Sequence, residues 1–228
     1  MSRDYLLRQI EQLTAVLSTI LGLKKEQKPE LALQTIEEYL KRELGLSSKL
    51  LNNLHAEELI RMCNTDSLTG RDKLYTLATL LKEEGELQRM TGNEATADER
   101  SFKSLYLMLA YSALPSHDHE TQLTEMIASL LASLQHCELP TEASALLFQY
   151  YERKHQYAAA EDVLFDRLQA EAEFGTNPSE LMDLVAEGNA FYQRLLKCDD
   201  EDLLQGNLPR SEIWGALDEL KRFTVRET

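Results

Sequence analysis

Residues 6–20 read Leu6-Leu7-Arg8-Gln9-Ile10-Glu11-Gln12-Leu13-Thr14-Ala15-Val16-Leu17-Ser18-Thr19-Ile20, and their spacing decides the fold class. Leu6, Ile10, Leu13, Leu17 and Ile20 advance by 4, 3, 4 and 3 positions, which winds them into one stripe on a helix. The composition of all 228 residues agrees: 43 Leu against only 4 Val and 6 Ile. Strands favour β-branched side chains, whereas Leu, Glu, Lys and Ala suit helices. Sheet-based folds, including doubly wound nucleotide folds and β-barrels, are therefore excluded in favour of an all-α chain. With 43% hydrophobic residues, a purely disordered chain is excluded too.

The same period recurs along the chain. After a charged turn, Pro29 suits a first helical turn, and Leu33, Ile36, Leu40 and Leu44 predict a second helix that Gly45 stops. Two short helices are expected within 47–68, around Leu50–Leu54 and Glu57–Cys63, then a long one from about Arg71 to Met90 carrying Leu74, Leu77 and Leu81. Thr96 and Glu99 have capping-box spacing ahead of Phe102, Leu105, Leu109 and Ala113. Leu123, Ile127, Leu130 and Leu134 mark the next helix; Leu146, Leu147, Tyr150 and Tyr151 the one after; Tyr157, Ala160, Leu164 and Leu168 a third. Asn177-Pro178 with Glu180 is a helix start, leading to Leu181, Leu184, Val185, Tyr192 and Leu195. A last helix carries Ile213, Leu217 and Leu220. No Pro-, Gly- or Ser-rich linker interrupts the chain, so 1–228 is expected to be one continuous helical-repeat domain, with a soft subdivision near residue 115.

That subdivision is one of charge. Residues 1–114 carry 15 basic and 17 acidic side chains, net −2; residues 115–228 carry 9 and 22, net −13, together giving the chain's −15. Such a field repels nucleic acid and anionic membrane and leaves room for a basic partner. Cys63, Cys137 and Cys198 lie far apart, the pattern of reduced thiols in the cytoplasm. Leu13–Leu23 is interrupted by Thr14, Ser18 and Thr19 and lacks a following cleavage site, so no secretory signal is expected.

Three helix pairs share a short turn, a small residue at the start of the second helix and a large apolar residue about four positions on: Ala32/Ile36, Ala160/Leu164 and, less well, Ala97/Ser101 with Phe102 nearby. The alanines are 65 and 63 residues apart, near twice a 34-residue unit. In this the chain resembles the tetratricopeptide-like (TPR-like) superfamily: Glu37-Glu38-Tyr39-Leu40 and Ala158–Leu164 sit in its second-helix pattern, and Gly85 falls at its small first-helix position if Gly92 marks the turn. The aromatic signature of the first helix in that superfamily is missing. The opening Asp4-Tyr5-Leu6-Leu7-Arg8-Gln9-Ile10 through Leu44-Gly45-Leu46 is also similar to an uncharacterised bacterial family with such a fold. The resemblance implies stacked antiparallel helical hairpins forming a right-handed superhelix; an irregular helical bundle is the alternative.

Chemistry is sparse. There is no phosphate loop, no His-Glu-x-x-His and no nucleophile elbow, and no cofactor is indicated. His117, His119 and Glu120 are the candidate metal ligands. Residues two apart on a helix diverge, so only an extended turn would bring the imidazoles together. His136 and Cys137, read as adjacent helical residues, point about 100° apart; His136 then suits a helix C-terminus and Cys137 the core. Asp199-Asp200-Glu201-Asp202 lacks the glycine of a calcium loop and reads as a helix start. Tyr150, Tyr151 and Tyr157 surround one turn, where they either pack the core or line a groove for a partner. The leading expectation is a non-enzymatic scaffold binding a protein or peptide, with a homodimer also open through the apolar first helix (Leu7, Leu21). The alternative is a metal- or small-molecule-dependent enzyme near His117 and His119.

Overall fold

The structure is a computed structural model describing residues 2–65, 67–115, 119–175 and 177–224, with side chains from 11 to 223 within those spans. Among these residues the regular elements are all helical. They group into two compact units, Met1–Leu139 and Pro140–Thr228.

The first unit begins with α1 (Ser2–Lys25) and α2 (Pro29–Tyr39), joined by a short turn in which Gln27 takes a positive φ. Pro29 occupies the first turn of α2, where no backbone N–H is needed. The buried face of α2 is Ala32, Ile36 and Tyr39, continued by Leu40, rather than the expected stripe through Leu44. The cause is a turn of π-helix over Leu40–Leu44, closed by the Gly45 N–H reaching back to the Leu40 carbonyl. A wider turn shifts the following residues around the axis, so Leu44 is half-buried and Leu46 takes the core position. Gly45 ends it at φ +66°, a conformation that costs glycine nothing.

Two short helices, α3 (Ser48–Asn53) and α4 (Ala56–Cys63), lead into α5 (Leu68–Met90), α6 (Glu94–Ser112) and α7 (Glu120–Ser133). The α5–α6 hairpin is the centre of this unit; α1, α2 and α4 lie against α5, and α7 lies against α6. Leu74, Leu77 and Leu81 are buried as the period demands, and Leu80 and Leu87 with them, because α5 has neighbours on several sides. The two helices approach closely. A Cβ on Gly85 would stand 2.9 Å from Ser101 Oγ and 3.1 Å from the Ala97 carbonyl, so the small Ala97/Ser101 pair and Gly85 face one another. Ser104 Oγ donates to the Ala78 carbonyl at 2.7 Å across the same seam. Gly92, at φ +80°, turns the chain between them. The capping-box reading of Thr96 and Glu99 is corrected: the helix already starts at Glu94, so both residues lie inside it, and Glu99 pairs instead with Lys103 at 2.6 Å. Ala113 follows the end of α6 and is exposed.

Two buried side chains in this seam are charged. Arg100 on α6 is 1% exposed, with Nε 3.0 Å from Glu84 Oε1 on α5. Its Nη2 donates to the Ser48 carbonyl at 3.1 Å and to Asn52 Oδ1, and Lys103 donates to the Leu51 carbonyl, so α3 is held by two cations of α6. Removing one member of a buried ion pair strands the other charge without water. Arg100→Met is expected to destabilise the protein by about 3–5 kcal/mol in urea unfolding followed by circular dichroism. Glu84→Leu combined with Arg100→Met should recover much of that loss; a double variant less stable than the single one would contradict the account.

The second unit comprises α8 (Thr141–Arg153), α9 (Tyr157–Phe174), α10 (Pro178–Leu195), α11 (Asp200–Gln205) and α12 (Arg210–Thr224). Successive pairs α8–α9 and α9–α10 pack together, and α12 returns against α10. Ala160, Leu164, Leu168, Val185, Tyr192, Leu195, Ile213, Leu217 and Leu220 share one core with Phe148 and Phe191. Gly188 sits where three helices meet: its Cβ would lie 3.0 Å from Leu164 and 3.1 Å from Leu220. Asn177 caps α10 by accepting from the Ser179 N–H at 3.1 Å. Asp199 likewise accepts from the Asp202 N–H at 2.9 Å, so the acidic run opens α11 as its sequence suggests.

Candidate functional site

The tyrosine candidates separate in the structure. Tyr150 is 3% and Tyr157 4% exposed; only Tyr151 is half-buried. Tyr150 and Tyr151 stand 5.7 Å apart between ring centroids, and the turn that joins α8 to α9 is made by His155 at φ +55°, its ring stacked on Tyr157. Burial, together with the neighbouring Cys198 thiol, pushes the Tyr157 phenol up to about 12. Tyr157 thus belongs to the core of the second unit with Tyr151 packed against it, Tyr150 is buried as well, and Tyr151 alone of the three is partly exposed.

Of the metal candidates, His117 lies outside the described residues. His119 precedes α7 with its ring stacked on Tyr75 of α5, centroids 4.3 Å apart, and Glu120 occupies the first turn of α7. An acidic side chain there complements the helix dipole.

A different constellation is assembled at the other end of α7. That helix stops at Ser133, and residues 134–137 form turns instead of another helical turn. His136 and Cys137 therefore do not diverge as adjacent residues of a helix would. Both reach Asp98, one turn into α6. His136 Nε2 is 3.2 Å from Asp98 Oδ2, and the Cys137 Sγ–H donates to the same oxygen at 3.5 Å. Arg89, near the end of α5, donates from Nη2 to the other oxygen, Oδ1, at 2.6 Å. His136 is 55% exposed, Asp98 and Cys137 partly covered, which corrects the core position expected for Cys137.

The charges follow from this geometry. Desolvation alone would raise the Asp98 carboxyl, yet His136, Arg89 and Cys137 together hold it below its ordinary value. Burial and the Asp98 carboxylate push the Cys137 thiol up. The carboxylate that accepts from the thiol also holds its proton on, the opposite of the lowered thiol that nucleophilic chemistry needs. The trio is a set of three donor atoms, all within 4.8 Å of one another. The 38-residue separation of Asp98 from His136, together with the assumption of helix through 136–137, hides it from a sequence reading.

A second polar pair lies inside the second unit: Tyr192 Oη donates to Glu161 Oε1 at 2.6 Å. Burial and the carboxylate raise the Tyr192 phenol far above its usual range. Burial also raises Glu161, with Tyr192 opposing and Asp162, Glu212 and Glu219 adding to the rise. A carboxyl with a raised folded-state pKa favours the protonated form, so its contribution to stability is full below the ordinary 4.5 and is lost as pH climbs through the raised value. Glu161→Gln retains an acceptor for Tyr192. It is expected to melt above the parent at about pH 7, with the difference vanishing near pH 4 in paired thermal melts.

Residues 1–225 match a family model described as a family of unknown function (DUF6483). No curated protein and no solved structure matches the chain.

Proposed function

The chain belongs to the DUF6483 family, an uncharacterised one, and from its packing we propose a helical-hairpin scaffold that binds a basic segment of another protein. The observation that carries this reading is on α9. Asp162, Asp166 and Glu173, at i, i+4 and i+11, are exposed along one side of the helix, and the stripe ends beside Phe174, 74% exposed. Meanwhile Arg167, Arg194, Arg210 and Lys221 are engaged by Glu187, Glu152, Asp200 and Asp218. The acid excess of this unit therefore faces outward, where it attracts cations and steers a basic partner. An exposed aromatic at the end of such a stripe is a suitable anchor.

Ala32, Ala97 and Ala160, each fully buried at the start of the second helix of a pair, support a tetratricopeptide-like stacking of hairpins. Three free cysteines fit a reducing, cytoplasmic setting, and no described helix is long and apolar enough to cross a membrane. Capture experiments with the full chain as bait test the reading. Expected are basic partners that elute with salt and are lost with the triple variant Asp162→Asn, Asp166→Asn, Glu173→Gln, its helicity unchanged. Partners that the variant retains, and that high salt does not release, would overturn it.

Self-association is a second reading with its own observation. Among the described side chains of α1 only Ile20 is fully buried; Leu13, Val16 and Leu17 are half-buried and Leu21 is exposed. A dimer covering this face is expected to dissociate in light scattering when Leu17 and Leu21 are both changed to Lys; a monomer in the parent chain would dispose of it.

A further inference from the structure

We propose that Asp98, His136 and Cys137 bind a zinc ion, a role that does not rest on the scaffold reading. The separations carry the inference. Zinc holds carboxylate oxygen and imidazole nitrogen at about 2.0–2.1 Å and thiolate sulfur at about 2.3 Å. Tetrahedral angles then place oxygen and nitrogen roughly 3.3 Å apart, and oxygen and sulfur roughly 3.5 Å apart. Asp98 Oδ2 stands 3.2 Å from His136 Nε2 and 3.5 Å from Cys137 Sγ. Two of the three donor–donor edges are thus already near those of a zinc tetrahedron, the third lies within 4.8 Å, and the ion takes the place of the hydrogen bonds to Asp98.

The donor types narrow the choice of metal. A thiolate, an imidazole and a carboxylate suit zinc, whereas calcium and magnesium demand oxygen ligands. Binding forms the sulfur–zinc bond as the Cys137 proton leaves to solvent, and thiolate plus carboxylate balance the two positive charges without any redox step. Arg89 orients the carboxylate from behind through Oδ1, leaving Oδ2 for the ion, in the way outer-shell groups fix metal ligands. Its own charge opposes the cation, and Glu94 Oε2, 3.2 Å from Arg89 Nε, offsets part of that. With His136 largely exposed, the fourth position opens to water, so an ion has a path in and a water or an external ligand can complete its shell.

Chelator-stripped full-length protein titrated with Zn²⁺ and, separately, with Co²⁺ as a spectroscopic probe decides the matter. One ion per chain is expected, with a thiolate-to-cobalt charge-transfer band in the near ultraviolet. Cys137→Ser should abolish the band, and His136→Ala and Asp98→Asn should each weaken zinc binding by at least about tenfold. Cys63→Ser and His119→Ala should leave both signals unchanged, with circular dichroism confirming that every variant is folded. Failure to retain an ion, binding without the thiolate band, or affinity that survives Cys137→Ser would each overturn the proposal.

Discussion

A guanidinium sealed from water governs the first unit. Taking an arginine and a glutamate out of solvent costs several kcal/mol per ion, and attraction between them repays it only where the geometry is maintained. Arg100 and Glu84 approach to 3.0 Å because α5 and α6 run close together at Gly85, Ala97 and Ser101, while Glu84 Oε2 and Arg100 Nε and Nη1 have no hydrogen-bond partner among the described residues and leave part of that cost standing. The pair in turn makes the close approach specific: sliding α6 by one residue would pull the charge from its partner and from the Ser48 and Asn52 acceptors on α3. Apolar packing supplies the bulk of the attraction between the two helices, and the ion pair selects one register among those that packing alone would permit.

The second unit solves the same register problem without a buried ion pair of that kind. Gly188 admits Leu164 and Leu220 to the α10 backbone, and Ala160 repeats the small-residue device near the start of α9. Within it Tyr192 pairs with Glu161, a neutral hydroxyl and a carboxyl sharing the cost of burial. Most of its charge lies outside, which leaves the surface electrically one-sided.

Much of this architecture was readable from spacing. Leu123, Ile127, Leu130 and Leu134, or Ile213, Leu217 and Leu220, are buried where a 3.6-residue period puts them, since each of those helices has one inward face. The period fails where geometry departs from a single-faced α-helix. Leu44 is displaced by a π-turn that no residue type announces, and α5 and α6 bury residues all round because they are surrounded. Thr96 and Glu99 have the letters of a cap but sit past it, for helix α6 starts at Glu94 and its N-cap position is Asn93, three residues before Thr96. The Asp98, His136 and Cys137 cluster was legible only in part: His136 and Cys137 stood out, but assuming helix through them pointed them apart, and Asp98 was not singled out because nothing local ties it to them.

The short helices α3 and α4 have six and eight residues, well below the roughly 12–15 at which a lone helix holds in water. What keeps α3 wound is largely borrowed: Glu37 takes the Ser48 N–H, and Arg100 and Lys103 take carbonyls from Ser48 and Leu51. All of those hands belong to other helices. The segment therefore sets only after its scaffolding has closed and loosens first when that scaffolding breathes, so during assembly it is the clasp fastened last.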